Sequence, residues 1–137
     1  MKYSIKTGSP EKQRTDCLVA GVFEGRKPAA GTRELDRAAD GALAAVLRRG
    51  DIEGKVGQSL LLHDVPGVQA QRVLLVGCGA EREIDDRRYR DVATRAAQRL
   101  QDTGAAEAVS LLPELAVKGR DLPWKVRQAV EAAEEAA

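Results

Sequence analysis

Two continuous apolar runs constrain this chain more than anything else in it. "CLVAGVF", Cys17–Phe23, and "RVLLVG", Arg72–Gly77, are of strand length and lack the alternation of a half-exposed strand. Strands of that kind are buried on both faces, so the sheet that holds them needs a layer on each side. Each run is followed by a long amphipathic pattern. From Thr32, a predicted N-cap with Glu34 in the first turn, Leu35, Ala38, Ala39, Ala42, Leu43, Val46 and Leu47 recur at helical spacing up to a stop at Gly50. From about Asp85, Tyr89, Val92, Ala93, Ala96, Ala97 and Leu100 do the same, and Gly104 closes the helix. Strands interleaved with such helices predict an α/β fold, a three-layer α/β/α sandwich.

The remaining segments fill in that frame. "MKYSIKTG" alternates, with Tyr3 and Ile5 on one face and Lys2, Ser4 and Lys6 on the other, and reads as a half-exposed strand. Ser9 and Pro10 suit the N-cap and first position of one helical turn. "GQSLLLHDV" and "QRVLLVG" are separated by "PGVQA", short enough for an antiparallel hairpin, so the sheet is predicted to be mixed. Glu107–Leu112 is a fifth strand. A third helix starts near Pro123, with Trp124, Val126, Ala129, Val130 and Ala133 on one side, and meets no glycine or proline stop before Ala137. The expectation is a single domain over 1–137 in which 123–137 begins a helix leading to a further, C-terminal domain.

Charge and cysteine usage exclude some function classes. A formal net charge of +1 gives no electrostatic case for nucleic-acid or membrane binding. No apolar run approaches the roughly 20 residues of a membrane span, and no secretory h-region opens the chain, so no membrane partner is expected. Cys17 and Cys78 then read as buried thiols in a reducing, cytoplasmic setting.

The one stretch that invites a ligand is Gly77-Cys78-Gly79. An aliphatic strand delivering the chain to Gly-x-Gly is how dinucleotide folds cradle a pyrophosphate. The third fingerprint position here is Arg82, where a glycine is needed for close helix–strand packing. The helix also starts late, and Glu81, Glu83, Asp85 and Asp86 place negative charge where a phosphate needs positive potential. The spacing therefore predicts a tight turn, with a small-ligand loop at Gly77, Cys78 and Gly79 as the alternative. His63 is the only histidine; with Cys17 and Cys78 so far apart it makes no zinc spacing, and it reads as the end of a strand with no Ser-His-Asp set identified around it. Arg88, Arg95 and Arg99, on the outer face of the second helix and partly balanced by Asp91 and Asp102, read as a solvated surface. No catalytic, metal-ligating or cofactor-binding residue is predicted.

Several segments, in order and spanning nearly the whole chain, resemble one family. "GSPEKQRTDCLVAGVFE", "VLRRGDIEGKVGQSLLLHDVPGV", "RVLLVGCGAEREIDDRRYR" and "VKGRDLPWKVRQAVEAAE" are similar to the N-terminal domain of bacterial leucyl aminopeptidases, the cytosol aminopeptidase family. The resemblance implies a macro-domain-like α/β/α sandwich, joined by a helix to a C-terminal domain that removes N-terminal residues from peptides. In the family that second domain holds two divalent metals, zinc or manganese. It carries motifs such as Asn-Thr-Asp-Ala-Glu-Gly-Arg, which do not occur in these 137 residues. Full-length subunits of the family form homo-hexamers, and some bacterial members bind DNA. The implied role here is a non-catalytic accessory domain serving assembly, access or regulation, with no cofactor of its own. A nucleotide- or ADP-ribose-like ligand module and a DNA-binding module are the alternatives.

Overall fold

The computed structural model describes all residues except 1, 5–7 and 83, and of Tyr3 the backbone alone. The expectations for Ile5, Lys6, Glu83 and the facing of Tyr3 lie outside the described residues. The strands are β1 (Lys2–Ser4), β2 (Cys17–Phe23), β3 (Lys27–Pro28), β4 (Ser59–His63), β5 (Arg72–Gly77) and β6 (Glu107–Ser110). The helices are α1 (Ala30–Ala38), α2 (Ala42–Arg49), α3 (Asp86–Gln101) and α4 (Leu122–Ala136), with short 3-10 turns at Pro10–Lys12 and Leu112–Glu114.

The described strands form one six-stranded sheet in the order β1-β6-β2-β5-β4, with β3 hooked back on the end of β2. β1, β6, β2 and β5 run parallel, and β4 is antiparallel to β5 from Ser59↔Val76 to His63↔Arg72. The sheet is mixed because "PGVQA" is too short for a crossover and permits only a hairpin.

The two long apolar runs sit where continuous runs must. Along β2, Cys17 and Val19 face one core and Leu18, Ala20 and Val22 the other; along β5, Leu74 and Val76 oppose Val73 and Leu75. Tyr89, Val92, Ala96 and Leu100 of α3, with Trp124 of α4, cover the first face; Leu35, Leu43 and Leu47 of α1 and α2 cover the second. The three layers expected from the sequence are thus present.

The predicted long helix from Thr32 to Arg49 is two helices. Asp40 (φ 52) and Gly41 (φ 83) are both left-handed, which ends α1 and re-aims the chain. The carboxylate of Asp36 then accepts from the amides of Leu43 (2.8 Å) and Ala44 (3.2 Å) and restarts it as α2. Apolar residues of both pieces reach one core, so the period survives the break and conceals it. Thr32 is not a cap: α1 starts at Ala30 with Ala29 at the N-cap, and the buried Thr32 hydroxyl donates to Gly21 O at 2.8 Å. Glu34 falls beyond the first turn. Ser9 makes no side-chain cap, and its segment is a 3-10 turn. The strand predicted to Leu112 stops at Ser110, because Pro113 and the turn at Leu112–Glu114 follow. On α4 the buried residues are Trp124, Ala129 and Ala132; Val130, predicted inward, is 37% exposed. Ala132 packs against Ala93 and Ala97 of α3, and Val130 lies in the open groove beside that contact.

Candidate functional site

The Gly77-Cys78-Gly79 loop lies where β5 ends beside β2, at the C-terminal edge of the parallel strands, the usual place for a ligand in an open α/β sheet. Whether it can hold one depends on its backbone amides. The Gly77 amide donates to Gln58 O, that of Cys78 to Val22 O and that of Gly79 to Gly54 O, each at 2.9 Å. Gly79 O in turn accepts from the Glu24 amide at 2.9 Å. All three donors that would face a phosphate are directed into neighbouring chain.

Two of these amides meet residues 53–58; residues 53–56 carried no assignment from the sequence, and Gly57 and Gln58, read there as the start of a strand, precede β4, which begins at Ser59. The segment is organised by one side chain: Gln58 Oε1 accepts from the amides of Glu53 (3.2 Å), Gly54 (3.0 Å) and Lys55 (3.0 Å). Three converging amides form an anion-binding concavity, and here the chain's own amide oxygen fills it. Gly54 (φ 107) packs against Phe23 O so closely that a Cβ would overlap it.

The two loop glycines are needed for different reasons. Gly79 has φ 82. Gly77 is not in the left-handed region, but a Cβ there would overlap the Lys55 carbonyl. Cys78 is fully buried, and its Sγ occupies the space above Gly21, where a Cβ would lie 2.8 Å from it. Burial pushes the Cys78 thiol up to about 12, overriding the backbone hydrogen bond from Val22 and the charge of Arg88. Cys17 is likewise pushed up to about 11 by burial. Neither supplies a thiolate near neutrality.

Arg88 does not stand on the outer face of α3. Its Nη2 donates to Ala80 O (2.8 Å) and Arg82 O (3.2 Å), tying the loop to the helix. Asp85 caps α3 through the Arg88 amide at 2.8 Å. Arg95 does lie outward and pairs with Asp91 at 3.3 Å. His63 ends β4 and is exposed.

A second cluster, unseen in the sequence, fixes α4 on α3. Asp121 caps α4 by accepting from the Trp124 amide at 3.0 Å. The Trp124 ring lies 5.7 Å from that of Tyr89, with Arg120 4.7 Å and Arg90 5.5 Å from its centroid. Arg120 is bidentate to Asp86 and holds that carboxyl below the ordinary aspartate value. α4 also carries exposed apolar residues. Leu122 is 54% exposed, and Val130, Ala133 and Ala137 line an open groove with Ala97 and Leu100 of α3. Among the described residues no three His, Cys, Asp or Glu side chains are placed to hold a metal.

Residues 19–137 match the family model described as the N-terminal domain of the cytosol aminopeptidase family. A probable cytosol aminopeptidase of Tolumonas auensis is 58% identical over 98% of this chain, and one of Colwellia psychrerythraea is 56% identical over 98%. The chain belongs to the cytosol aminopeptidase family. It corresponds to that family's N-terminal domain and spans 27% of the length of each of these two relatives. Among solved structures, a tomato leucine aminopeptidase mutant superposes with TM-score 0.68 at 24% identity, over 99% of this chain and 27% of that one. The macrodomain of Mycobacterium tuberculosis DarG gives 0.71 at 15% identity (97% of this chain, 90% of that one). A Trypanosoma brucei macrodomain gives 0.72 at 14% identity (97% and 54%). This chain thus has a macrodomain-like fold. At these identities the macrodomain likeness carries the fold and not the ligand.

Proposed function

We propose that this chain is the non-catalytic accessory domain of an aminopeptidase that removes N-terminal residues from peptides. The observation that carries the reading is the family match over a chain spanning only 27% of its relatives' length. Among the described residues no three His, Cys, Asp or Glu side chains are placed to hold a metal, and in this reading the two divalent ions, zinc or manganese, are held by a C-terminal catalytic domain. No step of the reaction is assigned to these residues.

In this reading 1–137 is one domain, and 123–137 leads toward the catalytic part. The exposed Leu122 and Val130 of α4, a helix fixed by the Trp124 cluster, support α4 as the face turned to the rest of the polypeptide. Assembly of the parent as a cytoplasmic homo-hexamer belongs to the same proposal. A nucleotide- or ADP-ribose-like ligand at Gly77, Cys78 and Gly79 is disfavoured by the engagement of all three amides. A DNA surface is disfavoured by the net charge and by the inward use of Arg88.

The reading frame tests the proposal. A gene that continues past Ala137 into a metal-binding aminopeptidase domain is the expected result. A gene that stops there refutes the accessory role.

A further inference from the structure

Edge strands of soluble proteins are usually protected from pairing with another chain by a lysine, a proline, a bulge or a covering element. β4 ends the sheet, and its five residues, Ser-Leu-Leu-Leu-His, contain none of those residues. Its ladder to β5 is unbroken from Ser59↔Val76 to His63↔Arg72, so there is no bulge either. The hydrogen-bond phase tells which backbone groups are left over. The Gly77 amide donates to Gln58 O and the Asp64 amide to Gln71 O, and both are directly opposed pairs of the same ladder. In an antiparallel pair such hydrogen-bonded positions alternate, so residues 58, 60, 62 and 64 point to β5. The amides and carbonyls of Ser59, Leu61 and His63 therefore point out of the sheet. Outside the sheet ladder, no backbone hydrogen bond among the described residues ends on them.

We infer that β4 pairs with β4 of a second copy, antiparallel and centred on Leu61, joining two sheets into one. The strand is its own complement. Its outward groups at 59, 61 and 63 are symmetric about Leu61, and so is its pattern of polar ends around three leucines. With the two-fold axis through Leu61, Ser59 lies opposite the partner subunit's His63, and Leu60 opposite the partner subunit's Leu62. The two Leu61 residues face each other. Leu61 packs on the α3 side of the sheet and Leu60 and Leu62 on the α1–α2 side, so both half-buried faces gain apolar neighbours. An isologous two-fold contact of this kind closes on itself and does not propagate into a fibre. The inference rests on the strand alone and is independent of the proposed enzymatic parent.

Sedimentation of the 137-residue chain, with two paired variants and a cross-link, tests it. The wild type is expected to reach twice 14.7 kDa as concentration rises. Ser59→Lys with His63→Lys places like charges opposite each other twice and is expected to stay monomeric. Ser59→Lys with His63→Glu places opposite charges there and is expected to restore the dimer; since the two variants differ only at exposed residue 63, folding is controlled. Opposed hydrogen-bonded positions have Cα atoms about 5.5 Å apart, within disulfide reach. Oxidised Leu61→Cys is therefore expected to cross-link, and Leu62→Cys is not. A wild type that stays monomeric to about millimolar concentration overturns the pairing, as does a Lys/Lys variant that dimerises as well as the wild type. Preferential cross-linking through residue 62 refutes the register and the inference with it. Protection of the β4 amides only on adding a foreign extended peptide would assign the edge to another chain, and would also overturn self-pairing.

Discussion

Replacing Gly77 with alanine separates two reasons for a glycine. The new Cβ would overlap the Lys55 carbonyl oxygen and lie 2.7 Å from its carbon and 2.9 Å from the Gly54 carbonyl carbon. These are backbone atoms, held by the amides gathered on Gln58 and by the Gly79–Gly54 hydrogen bond. They cannot swing aside as the end of a side chain would. Overpacking of that kind costs about 1–3 kcal/mol. Two comparisons calibrate the figure. Gly79→Ala meets Val56 Cγ2 at 3.2 Å and Arg88 Cδ at 3.3 Å, side-chain atoms that can yield, so its cost is mainly that of φ 82, about 1–2 kcal/mol. Gly104→Ala has φ 75 and nothing within 4 Å, and isolates the backbone term. Urea denaturation of the three variants should give Gly77→Ala the largest loss and Gly79→Ala a loss equal to or slightly above Gly104→Ala. At this chain length a 2 kcal/mol loss corresponds to a fall in Tm of roughly 5–10 °C. A Gly77→Ala protein within about 0.5 kcal/mol of wild type, typical of a neutral surface change, would mean that the loop is not braced on residues 53–58. The argument for engaged amides would fall with it.

Other outcomes follow from the same structure. Leu43→Ala, at a position 1% exposed, should cost about 2–5 kcal/mol by denaturant unfolding; no change would mean that the buried face of α2 is misplaced. Asp36→Ala removes the carboxylate that starts α2 and should cost about 0.5–2 kcal/mol in the same assay. Calorimetry with ADP-ribose, ATP or NAD should find no binding in the low micromolar range, and such binding would reinstate the ligand loop. Arg120 depresses the Asp86 pKa, so the ion pair stabilises the fold above the ordinary aspartate value of 3.8, and that contribution is lost as pH falls through the depressed value. The stability gap between wild type and Arg120→Gln should therefore narrow in acid, and a gap that widens as pH falls would refute the pairing.

Much of the fold was legible because burial on two faces leaves a plain mark. The runs at Cys17–Phe23 and Arg72–Gly77 and the period of α3 fixed three layers without any knowledge of contacts. What was missed depends on contacts distant in sequence or on single backbone angles. The α1–α2 break turns on Asp40 and Gly41, and the apolar period running through them conceals it. Thr32 has the chemistry of a cap, but its hydroxyl was taken by Gly21, eleven residues earlier. The spacing predicts a tight turn at Gly77-Cys78-Gly79, and of its two glycines only Gly79 has a positive φ. Gly77 answers to Lys55, which no local pattern connects to it. The bracing of the loop by Gln58 and of α4 by Asp86, Arg120 and Trp124 was invisible for the same reason.

We propose that these residues supply a fold and a docking surface but no catalytic group. The most direct test is hydrolysis of a leucyl substrate by the pure 137-residue protein, with zinc or manganese added, beside a mock preparation. No turnover above the mock is expected with either metal. Metal-dependent release of leucine by the pure protein, absent from the mock, would contradict the proposal.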